Sequence, residues 1–286
     1  MSNTKDITRR RVVKTGLAAS AAVGATPFFF TRGSLAASHG YRNAPKGDTV
    51  TFGFNVPQTG AYADEGADEL RAYELAVEHI NAGGGGMLDT FSSKELKGGV
   101  NGKKVAFVTG DTQTKSDAAR ASAKRMIEND GAIMITGGSS SGVAIAVQGL
   151  CQEAGVIFMA GLTHSNDTTG KDKRANGFRH FFNTEMTGSA LAPVLEKNMG
   201  KERSAYHLAA DHTRGWSQEG SIKKYTEALG WKTTAAVRTP LGAGDFSQFI
   251  TPVLNSGADV LVLNHYGKDM VNSLAQAVQF GLRDKQ

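Results

Sequence analysis

The sequence predicts an α/β fold of two Rossmann-like lobes, each a parallel sheet covered by helices on both faces. Three observations point there. Short apolar runs of strand length alternate with amphipathic stretches of helix length from residue 49 to the end of the chain. The runs are apolar almost throughout, as strands buried on both faces must be. The polar turns, rich in glycine and serine, fall after these runs, where the carboxyl ends of strands and the N-termini of helices gather ligands in an open parallel sheet. At 286 residues the chain has room for two lobes with separate cores.

The elements follow in order. "TVTFGFNV" (49–56) alternates Val50, Phe52, Phe54 and Val56 and gives way to the turn "PQTGAYADEG", whose acids suit a helix N-terminus. On that helix Leu70, Tyr73, Val77 and Ile80 form one stripe, and Gly83 is a natural stop. The unit repeats: "KKVAFVTG" leads to a helix near 116–129, "AIMITGG" to one near 142–153, and "GVIFMAG" to the polar loop "LTHSNDTTGKD". "FRHFFNT" reads as a strand closing the first series, and the chain is expected to cross near Asn183 into a second lobe. A helix ending near Gly200, strand "SAYHLAA", helix 217–229, strand "KTTAAVR", helix 246–256, strand "DVLVL" and helix 268–281 complete the pattern. The expected division is therefore 48–183 and 184–286, with the second lobe incomplete, since another strand normally follows such a last helix. The stretch 83–102, "GGGGMLDTFSSKELKGGVNG", has no period and is expected to be a surface excursion.

Residues 1–38 read as an export signal rather than as part of the fold. Arg9 and Arg10, followed by Arg11, Val12, Val13 and Lys14, resemble the twin-arginine pattern, so the twin-arginine export machinery is the expected partner of this segment. The apolar stretch Leu17–Phe30 is broken by Gly24 and Pro27 and is shorter than the about 20 residues of a membrane span. Small residues at Ser34, Ala36, Ala37 and Ser38 offer cleavage sites. The segment carries six of the 32 basic residues and one of the 27 acidic ones, which leaves 26 of each. A formally neutral mature chain gives no electrostatic reason to bind nucleic acid. The single Cys151 excludes a disulfide framework, and the histidines show no metal-ligand spacing.

"TGGSSSGVAIA" (136–146) is the most informative turn. Serine hydroxyls and free amides at the positive end of a helix make an anion site, for phosphate or carboxylate. Phosphate is disfavoured: there is no GxxxxGK[ST], and no GxGxxG follows the first strand. An exported oxidoreductase of the short-chain dehydrogenase type stays open as an alternative, because Thr136–Gly142 partly imitates its glycine-rich turn. Against it, Ala144 stands where the last glycine belongs and no Tyr has a Lys four residues later. No GxSxG is present for a serine nucleophile. No catalysis and no cofactor is expected.

"FGFNVPQTGAYADEG", "INAGGGG", "TGGSSSGVAIAVQ", "SNDTTGKD", "AADHTRGWS" and "PLGAGDFSQFITPVLNSGADVLVL" occur in the order and at about the spacing seen in periplasmic solute-binding proteins of the branched-chain amino acid (leucine-binding) type, which feed ABC transporters. The chain resembles that family through almost its whole length after the signal. The resemblance implies a type I periplasmic binding protein fold, two lobes joined by hinge strands crossed three times and closing on a small ligand, with a membrane permease as partner and a periplasmic location. It implies that Ser141, with Ser140 and the Gly142 amide beside it, cradles a ligand carboxylate. Thr163 and Ser165 fall where the family uses a backbone carbonyl and a hydroxyl to hold the ammonium and carboxylate. Tyr62 matches the aromatic that walls the side-chain pocket, and Tyr266 the tyrosine that closes from the second lobe.

Two departures bear on the ligand. His212 and Arg214 stand where family members commonly carry aromatic residues, so the second-lobe wall admits an acidic or amide-bearing ligand. The family's ammonium partner, an acid of the second lobe, is expected just past Gln286. Each residue also has a plainer reading: the serines as helix caps, Tyr62 as a turn residue, Tyr266 as packing at a strand end. A ligand-sensing module for a signalling partner shares the fold and stays open beside the transport receptor.

Overall fold

The computed structural model describes residues 42–45, 47–86, 89 and 98–282. The segment expected to be an export signal lies outside the described residues, as does half of the excursion 83–102, namely 87, 88 and 90–97.

Eight strands form two wholly parallel sheets among the described residues. The first has five strands in the order β2-β1-β3-β4-β5, with β1 Thr49–Val56, β2 Lys104–Asp111, β3 Met134–Gly137, β4 Ile157–Ala160 and β5 Gly177–Arg179. The second has three in the order β7-β6-β8, with β6 Ser204–Ala210, β7 Lys232–Thr239 and β8 Val260–Asn264. Helices α1 Ala63–Ala82, α2 Ser116–Glu128 and α3 Ser141–Ala154 serve the first sheet. Helices α4 Thr184–Met199, α5 Thr213–Glu227, α6 Ser247–Leu254 and α7 Gly267–Gln279 serve the second.

Each sheet buries apolar side chains on both faces, which is why its strands read as nearly continuous apolar runs. Val50, Phe54 and Val105 pack with Val77 of α1 on one face of the first sheet. Ile135 and Phe158 pack with Met126 of α2 and Val147 of α3 on the other. In the second sheet Leu208 meets Phe246, Ile250 and Val253, and on the opposite side Ala205, Trp231 and Val260 pack together.

Two boundaries differ from expectation. "FRHFFNT" is a strand only as far as Arg179, whose guanidinium donates to the carbonyls of Thr163 and Ser165, both at 2.6 Å. Beyond it Phe181 and Phe182 leave the sheet to stack with His164, and the Asn183 side chain caps α4 by accepting from the Met186 amide at 2.9 Å. Helix α5 begins at Thr213 rather than at 217. Gly215, a poor helix former that hid this first turn, sits against the Ala210 carbonyl where a Cβ has no room.

The register fixes the site. Asn55 pairs with Gly137 and Gly137 with Ala160, so the loops after β1, β3 and β4 emerge side by side. In the second sheet Ala210 pairs with Thr239 and Ala209 with Asn264, which gathers the loops after β6, β7 and β8 in the same way. These two loop clusters touch each other.

Candidate functional site between the lobes

In the first lobe the serine turn is built by backbone constraint. Gly137 and Gly138 both have positive φ, and a Cβ on Gly137 would collide with the Asn55 backbone. Ser139 also takes a positive φ of 48° and donates its hydroxyl to Glu69. Ser140 is the N-cap of α3, and its side chain makes no capping bond. Ser141 opens the helix, and its Oγ accepts from the Ser165 amide at 3.1 Å, which ties the β3 and β4 loops together. The first turn of α3 contains no acid, so its positive end is unneutralised by the helix itself.

The β4 loop supplies Thr163, His164 and Ser165. Ser165 caps a short 3-10 turn, Asn166–Thr169, by accepting from the Asp167 amide at 3.2 Å. The Thr163 carbonyl, the expected ammonium acceptor, already accepts from Arg179. An ammonium placed there would share its acceptor with a guanidinium.

Glu69 of α1, absent from the predicted site, holds these loops. Its Oε1 accepts from the Tyr73 hydroxyl at 2.7 Å and the Leu162 amide at 3.3 Å, and its Oε2 from Ser139. Burial raises its pKa above the ordinary carboxylate value, against the pull of those three donors. A Cβ on Gly161 would collide with Glu69 Oε1 and the Tyr73 hydroxyl, so a larger residue there would displace both. The sequence signal was a glutamate four residues before Tyr73 on the edge of the apolar stripe.

From the second lobe come His212, the N-cap of α5, Arg214 in its first turn, and Tyr266, the N-cap of α7. Tyr266 is the hub. Its ring stands edge-on to Tyr62, with centroids 5.4 Å apart, and to His164 at 6.1 Å, while the Arg214 guanidinium lies 4.7 Å above it. The Tyr62 hydroxyl is 3.0 Å from His212 Nε2, and Gly142 of α3 faces Thr213 of α5. Tyr62, His212 and Tyr266 are thus brought together directly, and Ser141, Gly142, Thr163 and Ser165 line the facing loops. Beside this contact runs a groove of about 340 Å³ lined by Asn166, Asp167, Glu185, Thr213, Trp216 and Ser217, none of them a predicted site residue.

Burial dominates the electrostatics where the two loop clusters meet. Burial lowers the His164 pKa to about 3, helped by Arg214 and Arg179. Burial lowers His212 to about 4, with Arg214 adding to the effect and Asp211 opposing it. Burial also raises the hydroxyl pKa of Tyr62 and Tyr266. Five side-chain atoms here are buried without a hydrogen-bond partner: Thr163 Oγ1, both ring nitrogens of His164, His212 Nδ1 and Arg214 Nε. Buried polar atoms are nearly always paired, so a cluster of orphans on facing loops marks a place that a polar ligand or ordered water completes.

Comparison with known proteins identifies the family and the fold. The periplasmic binding protein family description matches residues 49–286, and the chain belongs to that family. It is 28% identical over 247 residues to a Leu/Ile/Val-binding protein homolog of Brucella suis, covering 84% of this chain and 58% of that protein. A periplasmic binding protein of Burkholderia mallei shares the fold with a TM-score of 0.71 and 27% identity, over 83% of this chain and 59% of that one. A solute-binding protein of an ABC transporter from Rhodopseudomonas palustris, solved with p-hydroxybenzoic acid, shares the fold with a TM-score of 0.69 and 24% identity, over 83% and 60% of the two chains. The chain therefore spans somewhat under two thirds of the length of these relatives, and its fold is the type I periplasmic binding protein fold.

Proposed function

We propose that the protein is the extracytoplasmic substrate-binding component of an ABC uptake system, holding an amino acid or a related small carboxylate or amide between its lobes without catalysis. The observation that carries this reading is the set of orphaned polar atoms on Thr163, His164, His212 and Arg214, with the His164 ring and the Arg214 guanidinium both set against Tyr266. Ser140, Ser141 and Gly142 at the start of α3 supply donors for a carboxylate, each charge-assisted bond adding about 1.5–3 kcal/mol net. The named relatives support the range: one is a Leu/Ile/Val-binding homolog, another was solved with an aromatic carboxylate. The permease is the expected partner, and the periplasm, reached through the twin-arginine machinery, the expected location. No helix among the described residues is long and apolar enough to cross a membrane. Family membership favours neither the dehydrogenase alternative nor a cofactor.

The test is a set of thermal melts of the full-length protein against amino acids, amides and small carboxylates. A ligand at a hundredfold excess over Kd adds about 2.7 kcal/mol, a rise of several degrees. A rise with one ligand class, reduced in Ser141→Ala, supports the reading. No rise with any of them, together with a rise for NADP, returns the serine turn to the dehydrogenase alternative.

A further inference from the structure

Arg214 is a buried cation without an anion. Its guanidinium donates to the His265 carbonyl at 3.1 Å and lies over the Tyr266 ring, while Nε is buried and unpartnered. The acids nearest this site bear on the tyrosines rather than on the guanidinium: Glu65, set against Gly267, acts on Tyr266 and Tyr62, and Asp269 on Tyr62. Among the described residues no carboxylate stands within ion-pairing distance of Arg214, whereas Arg238 pairs with Glu219 and Arg125 with Asp130. Asp211, the acid nearest in sequence, turns outward to accept from the Trp216 indole at 2.9 Å. Asp269 accepts from the Gly242 amide. The three histidines around the guanidinium, His164, His212 and His265, are held neutral by burial and by Arg214 itself.

The helices add to the excess. Arg214 sits in the first turn of α5, which has no acid there, and the α5 N-terminus faces the equally acid-free N-terminus of α3 across the Gly142–Thr213 contact. Two positive helix ends and a buried guanidinium therefore converge where the lobes meet. A zwitterionic ligand brings no net charge and leaves this excess in place. It would also set its ammonium against Arg179 at the Thr163 carbonyl. A ligand with net negative charge neutralises it, and the planar fork of Arg matches a carboxylate.

Resting on the receptor reading above, we infer that Arg214 is the specificity-determining anion anchor of the second lobe, so that the cleft selects a small organic acid of net negative charge over zwitterionic or neutral analogues. The aromatic walls Tyr62, His164 and Tyr266 suit a flat or apolar body on that acid.

The experiment uses matched pairs with the full-length protein: 4-methylpentanoate against leucine, which differ by the ammonium, and benzoate against benzamide, which differ by the charge. Melts and calorimetric titrations are run on the natural protein, Arg214→Gln and Arg214→Lys. The expected result is binding of the acid in at least one pair, with its partner at least tenfold weaker. Arg214→Gln should abolish the preference, and Arg214→Lys should keep it at lower affinity. Without ligand, both variants should melt within a few degrees of the natural protein. If leucine or benzamide binds as well as its acid, or if Arg214→Gln keeps acid affinity within twofold, the inference falls while the receptor reading stands. If no member of either pair binds, and the broader panel above gives no shift, both fall together.

Discussion

Tyr62 Oη lies 3.0 Å from His212 Nε2, so a side chain from the loop after β1 is hydrogen-bonded across to the N-cap of α5 in the other lobe. The Tyr62 ring is buried and stands edge-on to both His212 and Tyr266, which makes this contact part of what holds the lobes in their present arrangement. In Tyr62→Phe the ring remains while His212 keeps no partner on either nitrogen. The expected loss is about 1 kcal/mol, rising toward 3 kcal/mol if the imidazole stays dry. Urea denaturation measures it, and an unchanged midpoint would show that the bond does not hold the lobes.

Adjacent serines should behave differently. Ser141 Oγ accepts from the buried Ser165 amide, so Ser141→Ala strands a backbone donor at an expected cost of about 1–3 kcal/mol. Ser140 occupies the N-cap without making a capping bond, and Ser140→Ala should lose no more than about 0.5 kcal/mol. Equal losses in parallel melts of the two ligand-free variants would contradict the assigned contacts.

The pattern of strands was legible because burial on both faces leaves a simple trace. β1 and β6 occupy the residues that their apolar runs mark, 49–56 and 204–210. Legibility failed where tertiary contacts override local pattern. "FRHFFNT" has strand composition, yet the Arg179 side chain and the aromatic stack on His164 draw its second half out of the sheet. Of the candidate site, the residues that the sequence singled out, the serine turn, Tyr62 and Tyr266, lie on loops that meet in the fold. Glu69 was not legible, since a helical glutamate normally faces water, and only the crowding of Gly161 and Ser139 against it shows that this one is buried.

Glu69 makes a pH-dependent prediction. Its folded pKa is raised above the ordinary value of 4.5, chiefly by burial. The folded protein therefore holds this proton more tightly than the unfolded chain. The associated stability is full below the unfolded value and is lost as pH rises through the folded one. Glu69→Gln keeps the shape and removes the titration, so above that window the variant should be at least as stable as the natural protein, with a flatter pH dependence. A loss of more than about 1 kcal/mol at pH 8 would mean that the three donors stabilise an ionised carboxylate after all.

The buried histidines act in the opposite direction and dominate in acid. Burial is the leading cause in each case: the His164 pKa is lowered to about 3 and those of His207, His212 and His265 to about 4, from 6.5. The unfolded chain takes up protons at these sites before the folded protein does. Their stability is therefore complete above pH 6.5 and is lost as pH falls toward 4. Each histidine contributes about 1.4 kcal/mol per pH unit across its window. Stability is thus expected to fall as pH drops from about 6.5 toward 4. Circular dichroism across that range, with urea melts at each pH, gives the protons taken up on unfolding. His164→Phe, which extends the stack with Phe181 and Phe182, should remove close to one of them. A stability that does not fall between about pH 6.5 and 4 would show that these imidazoles are solvated and charged in the native state.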